Sequence, residues 1–181
     1  MEVHLKMLKE PPMQDVAEGP APKALAATQN YPPEWREILE SSRGAALINA
    51  AKGGHAELLR LLHDIYGLTA EDARSGNIKA LQLAAMDGHL DVLEVLHTVY
   101  GLNVNDARED NNSALKWAAR NGHAKVLEVL HTVYGLTTDD AISDDNKALK
   151  CAARYGHLDV LKVLHTTYGL TANDARDCER S

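Results

Sequence analysis

The chain reads as an all-α helical-repeat solenoid of four units, and three observations predict that class. The dipeptide Gly-His occurs at Gly54-His55, Gly88-His89, Gly122-His123 and Gly156-His157, each occurrence 34 residues after the last, and a fixed period of this size marks a stacked array. Four copies align around these anchors without a gap, over 43–76, 77–110, 111–144 and 145–178. Within each copy the apolar residues recur at helical spacing, and no stretch alternates with a period of two, so no strand is expected. One copy cannot bury its own apolar faces. Stacking buries them against the neighbours, which is why such arrays need several repeats.

The first helix of each copy carries Ala-Leu-x-x-Ala-Ala. In the third copy Leu115, Ala118 and Ala119 fall at i, i+3 and i+4 on one face. The small alanines let neighbouring helices approach closely, and with no Phe in the chain the core must be aliphatic. An Asn or Asp heads the copies at Asn77, Asn111 and Asp145 and is the expected N-cap. Gly122 ends the helix and admits a tight turn. The second helix starts at the His after that Gly. Val126, Leu127, Val129 and Leu130 give it a broad apolar face, with Tyr134 one turn further on. Gly135-Leu136 reads as a C′ glycine and its apolar follower. The third element, 70–74 and its equivalents, is a single helical turn. Thr69-x-x-Asp72 and Thr171-x-x-Asp174 pair an N-cap residue with an acidic N3 position, a variant of the capping box, and Asn103 replaces Thr in the second copy.

The run Ala-Leu-x-x-Ala-Ala-x-x-Gly-His-x-x-Val-Leu-x-x-Leu resembles the ankyrin repeat over roughly three quarters of the chain. The resemblance implies an ankyrin-like solenoid, with departures. The family's Thr-Pro-Leu-His opening is here Lys79-Ala80-Leu81-Gln82, Ser113-Ala114-Leu115-Lys116 and Lys147-Ala148-Leu149-Lys150. The unit is one residue longer than usual, and Tyr-Gly-Leu-Thr-Ala-x-Asp-Ala-Arg stands where the family has a β-hairpin. The hairpin segments are therefore expected to be shortened or replaced by a short helical turn. The variant is similar to the divergent ankyrin arrays of host-associated bacteria and large viruses, which implies an effector or inhibitor acting on another protein.

Ahead of the repeats, residues 1–33 read as an irregular Pro-rich arm, and 10–33 hold all six prolines. Residues 34–42 read as a short capping helix with proline at its start. Trp35, Ile38 and Leu39 share one face of it and are placed to cover the first repeat. The net charge of −7 and a pI near 5.7 argue against nucleic acid or an anionic membrane as partner. No apolar run approaches the ~20 residues of a membrane span, and charges throughout residues 1–10 rule out a secretory signal. The two cysteines, Cys151 and Cys178, form neither a zinc motif nor a disulfide framework, so a reducing cytoplasm is the expected compartment.

Eight of the nine histidines fall in two columns, His55, His89, His123, His157 and His63, His97, His131, His165. Ligands to one metal must lie about 2 Å from it, whereas stacking sets equivalent side chains ~10 Å apart. These histidines are expected to bond to backbone. The Asp column (Asp72, Asp106, Asp140, Asp174) and the Arg column (Arg74, Arg108, Arg176, broken by Ile142) recur as well. A catalytic set occurs once, because its geometry is unique. Recurrence in register predicts caps and inter-repeat ion pairs instead. No phosphate loop or dinucleotide fingerprint is present, so no enzyme, cofactor or metal is expected.

In a repeat protein the recurring positions hold the scaffold, and the varying positions are free to recognise something. Three columns of the first helix vary: Asn49, Leu83, Trp117, Cys151; then Lys52, Met86, Arg120, Arg154; then Gly53, Asp87, Asn121, Tyr155. The matching positions of the ankyrin family line a concave groove. The expected partner-binding residues are therefore Leu83, Met86, Asp87, Trp117, Arg120, Asn121, Cys151, Arg154 and Tyr155. Trp, Tyr and Arg are the types that dominate interface hot spots. The first helices and their leads carry Arg43, Lys52, Lys79, Lys116, Arg120, Lys147, Lys150 and Arg154 against Asp87, a basic strip on an acidic chain. The expected partner is another protein with an acidic segment, bound by a mainly monomeric chain. The fourth copy has no capping helix after it, and its stacking face is the route to the alternative, a self-assembling structural array.

Overall fold

A computed structural model describes residues 33–171 together with 173 and 174, with side chains from residue 42 onward. Among the described residues every regular element is helical: α1 (Pro33–Lys52), α2 (Ala56–Tyr66), α3 (Ala70–Asp87), α4 (Leu90–Thr98), α5 (Val104–Asn121), α6 (Ala124–Thr132), α7 (Thr138–Tyr155) and α8 (Leu158–Thr166). Helices α1, α3, α5 and α7 stack in one layer, and α2, α4, α6 and α8 in a second. Each Gly-His turn joins the two layers. The core runs along the seam, where Leu47, Leu81 and Leu115, Ala51, Ala85 and Ala119, and Leu59, Leu93 and Leu127 are fully buried. The result is the all-α repeat solenoid that the 34-residue period predicts.

Helices α3, α5 and α7 are each two helical segments joined by a left-handed turn. In α3, Ser75 is extended (ψ 150°), and Gly76, Asn77 and Ile78 then take φ of +63°, +64° and +57°. Asp110-Asn111-Asn112 and Asp144-Asp145-Asn146 repeat this conformation. A left-handed residue with a Cβ costs roughly 1–2 kcal/mol, and Asn and Asp are the side chains that reach it most readily. That is why the copies are headed by Asn and Asp. It also corrects the N-cap reading of Asn77, Asn111 and Asp145, because an N-cap residue is extended rather than left-handed. The N-caps are Thr69, Asn103 and Thr137, at φ of −114°, −133° and −113°, each closing a capping box with Asp72, Asp106 or Asp140. The short helical turn and the left-handed turn together stand in the place of a hairpin.

In α1 no such turn intervenes, and one helix runs from Pro33 to Lys52. The boundary expected between a cap at 34–42 and a repeat from 43 thus falls inside a helix. Arg43, on this helix, reaches Asp72 (Nε–Oδ1 3.1 Å, Nη2–Oδ2 3.2 Å) and the Gly67 carbonyl (2.9 Å). The Pro-rich arm at 1–32, the side chains of Trp35, Ile38 and Leu39, and Arg176 and Cys178 lie outside the described residues.

Polar ladders hold the copies in register. The Tyr100, Tyr134 and Tyr168 hydroxyls donate to the Leu59, Leu93 and Leu127 carbonyls of the preceding copy at 2.7, 2.8 and 2.8 Å. Burial pushes all three phenols well above their ordinary value. Their rings meet His63, His97 and His131 at centroid distances of 5.6, 5.4 and 5.2 Å. Those histidines and His165 donate from Nδ1 to the Leu68, Leu102, Leu136 and Leu170 carbonyls at 2.7–2.8 Å. In the other column, Nε2 of His89 donates to Lys52 O at 3.0 Å and Nε2 of His157 to Arg120 O at 2.8 Å. Backbone bonding is thus what the whole of one column does, and His89 and His157 of the other. The recurrence of Gly before His has its own cause. A Cβ added to Gly54, Gly88 or Gly122 would sit 2.7 Å from Nδ1 of His89, His123 or His157. Each glycine receives the imidazole of the next copy.

The Asp and Arg columns form the inter-repeat ion pairs expected of them. Arg74 forks onto Asp106 (2.7 and 3.1 Å) and Arg108 onto Asp140 (2.8 and 3.0 Å). The same carboxylates accept the Asn103 and Thr137 backbone N–H groups at 2.8 Å. Ile142, which breaks the Arg column, instead packs against the core. Burial alone would push the Asp106 and Asp140 carboxyls up. The guanidinium and backbone N–H hydrogen bonds outweigh it and hold both below the ordinary value of 3.8. A carboxyl depressed on folding contributes stability that is full above its unfolded pKa and is lost as pH falls through the folded one. The melting-temperature gap between wild type and Arg108→Met should therefore be widest near neutral pH and close below about pH 4. A gap that stays constant down to about pH 3 would mean that the Asp140 pair does not contribute.

Candidate protein-binding surface

The variable columns lie on the first-helix layer, and the structure gathers three of their residues into one cluster. Trp117 and Arg120 stand three apart on α5 and so share a face. Tyr155 arrives from the end of α7. The Arg120 guanidinium carbon lies 5.1 Å from the Trp117 ring centroid and 5.3 Å from that of Tyr155. A cation within about 6 Å of an aromatic face is attracted by the ring quadrupole, and here one cation serves two faces. The Tyr155 ring in turn stacks on His157, at 6.4 Å and 27° between planes. His157 holds the Arg120 carbonyl through Nε2. Backbone and side chain of Arg120 are thus fixed by the same neighbouring turn. Both aromatic rings remain open to solvent, Trp117 at 37% and Tyr155 at 47% exposure. Arg120 and Arg154 each sit in the last turn of a helix, where a cation suits the helix dipole.

Beside this cluster runs a shallow groove of about 280 Å³ between α5 and α7. Asp110, Asn111, Ser113, Lys116, Trp117 and Arg120 line it, together with Asp144, Lys147 and Cys151. Lys116 Nζ donates to Asp144 Oδ2 at 2.8 Å, and the Lys116 ammonium holds the Asp144 carboxyl below its ordinary value. Lys150 pairs with Asp145. The left-handed turns therefore bring acids to the edge of the basic strip and neutralise part of it. Lys52, Lys79, Arg120, Lys147 and Arg154 of the strip remain exposed.

The other expected residues are distributed. Leu83 and Met86 are half-buried one copy earlier, Asp87 and Arg154 are exposed, and Cys151 is half-buried in the groove. Asn121 donates from Nδ2 to Met86 O at 2.7 Å. It takes the kind of scaffold role that the histidines play at Lys52 and Arg120. The groove residues that variability did not single out are Asp110, Asn111, Ser113, Lys116, Asp144 and Lys147. They belong to the turns and helix leads. Lys116 and Lys147 belong to the basic strip read from the sequence, the others to a charged and amide-rich run between copies, and the Lys116–Asp144 pair spans 28 residues.

Among the described residues no group of three His, Cys, Asp or Glu side chains is placed to hold a metal ion, and no helix is long and apolar enough to cross a membrane. A search of curated proteins finds no match. The family model for ankyrin repeats (3 copies) matches residues 47–136 and 81–175. Ankyrin repeats are in general protein–protein interaction modules. The match covers well over half of the chain and coincides with the stacked helix pairs, the Gly-His turns and their ladders, so this chain belongs to the ankyrin-repeat family.

Proposed function

We propose that this protein is a non-enzymatic cytoplasmic recognition module that holds an acidic segment of another protein on its concave first-helix surface, acting as an effector or inhibitor by covering that segment. The observation that carries the reading is the placement of Arg120 between Trp117 and Tyr155. A fixed guanidinium flanked by exposed aromatic rings offers charge for a carboxylate and apolar area for the chain around it. Its rigidity means little rotamer entropy is lost on binding. Arg154, Leu83 and Met86 extend the surface along neighbouring copies. Lys116 and Lys150, already paired, contribute less to attraction than the sequence alone suggests.

The test is selection from a randomised peptide library on the full chain, repeated with Arg120→Gln and Trp117→Ala. Enrichment of Asp- and Glu-rich sequences is expected, lost by roughly tenfold or more in either variant, in keeping with the cost of truncating a hot spot. Sequences without acidic bias, or acidic sequences held equally well by both variants, would count against the reading.

A further inference from the structure

The two ends of the array expose complementary halves of the junction that it makes three times internally. At the first end, α2 carries Leu58 at 43% exposure, whereas its equivalents Val92, Val126 and Val160 are at 0, 1 and 0%. Tyr66 is at 56%, whereas Tyr100, Tyr134 and Tyr168 are at 2, 2 and 1%. Leu61 and Ile65 are exposed beside them. Inside the array each such tyrosine donates its hydroxyl to the preceding copy's second-helix carbonyl and lays its ring against that copy's histidine. Tyr66 is the equivalent residue of the first described copy, and its ring stands open.

At the other end the matching receptors stand open. Ala153 is exposed, while Ala51, Ala85 and Ala119 are fully buried. Gly156 has nothing within 4 Å of an added Cβ, where Gly54, Gly88 and Gly122 each face the imidazole of the next copy. His165 is exposed, while His63, His97 and His131 are half-buried against tyrosines. Leu161, the counterpart of Leu59, Leu93 and Leu127, is only half-buried.

We propose that a second copy of this chain docks head to tail across these ends, its α1 and α2 stacking on α7 and α8 of the first. The Tyr66 hydroxyl of the incoming copy donates to the Leu161 carbonyl, its ring meets His165, and its His55 seats on Gly156. The junction is the one the array already makes, so donor meets acceptor and ring meets ring without new chemistry. Arg43 already holds Asp72 as Arg74 holds Asp106, so the joint is confined to the two helix layers. A head-to-tail contact joins unlike faces and leaves one of each free, so it propagates rather than closes.

Sedimentation velocity on the full chain, from about 1 µM to on the order of 1 mM, tests this. The wild-type average mass is expected to rise at least about twofold over that range and to keep rising, as an open series does. Tyr66→Lys spoils one face and Ala153→Arg the other. Both positions are exposed, and unchanged melting temperatures confirm that the variants fold. Each variant alone should remain monomeric. An equal mixture should form a dimer and nothing larger, because only one intact pair of faces is available. A wild type monomeric throughout, or an Ala153→Arg variant that still associates like wild type, as a symmetric α2-to-α2 dimer would, overturns the proposal.

Discussion

Leu115→Asp is expected to abolish cooperative folding of the array, while Trp117→Ala, two positions along the same helix, leaves it folded. Leu115 has no exposed surface, and its equivalents Leu47 and Leu81 are equally buried. Removing the leucine gives up about 1.5–3 kcal/mol of burial. The aspartate that replaces it lies among the apolar residues of the seam. Its unpaired charge costs several kcal/mol more, whether it stays ionised or takes up a proton. Against a total stability of about 5–15 kcal/mol that sum is decisive. The damage also spreads, because each copy of a solenoid is stable only through its neighbours, and the third copy joins the two halves. Trp117 is exposed on one side and sits in a column that varies, so its loss should change stability by about 1 kcal/mol or less. Thermal melts followed by circular dichroism distinguish the two. If Trp117→Ala lowers the melting temperature as far as Leu115→Asp, the tryptophan belongs to the core and the binding surface is misplaced.

Gly122→Ala should be far more damaging than Gly156→Ala, although the two glycines have the same backbone conformation. Their φ values are +83° and +75°, so each alanine bears a left-handed cost of roughly 1–2 kcal/mol. The difference lies in what the new methyl meets. At Gly122 it would stand 2.7 Å from Nδ1 of His157, and at Gly156 it meets nothing. Moving the imidazole breaks its bond to the Arg120 carbonyl, worth about 1 kcal/mol, and disturbs the stack with Tyr155. A total near 2–4 kcal/mol is expected for Gly122→Ala. Adding His157→Ala should cost less than the sum of the single changes, since the clash is then already gone. Additive losses in that double variant would show that conformation alone, and not the next copy's histidine, fixes glycine here. Because His157 also positions Arg120, Gly122→Ala should weaken partner binding even where the protein remains folded.

What the sequence determined by itself is whatever depends on near neighbours in the chain. The helix faces around Leu115 and Val126, the capping boxes of Thr69 and Thr137, and the glycine stops after the second helices all involve residues within about two helical turns of one another, and the 34-residue period is their repetition along the chain. The period further implied that recurring Asp, Arg and His columns are structural, because register repeats their surroundings. Asn77, Asn111 and Asp145 were not legible, since the same side chains suit an N-cap and a left-handed turn, and only the path of the chain chooses between them. Variation between copies singled out Trp117, Arg120 and Tyr155, but not that they meet. Tertiary structure decided that the Arg120 cation is held between two rings and that Lys116 is neutralised by Asp144. It also decided that His157 faces Gly122. These contacts join different copies, 28–41 residues apart for the ion pairs and hydrogen bonds. They are set by how close stacked helices approach, a distance that the alanines permit and no local pattern states.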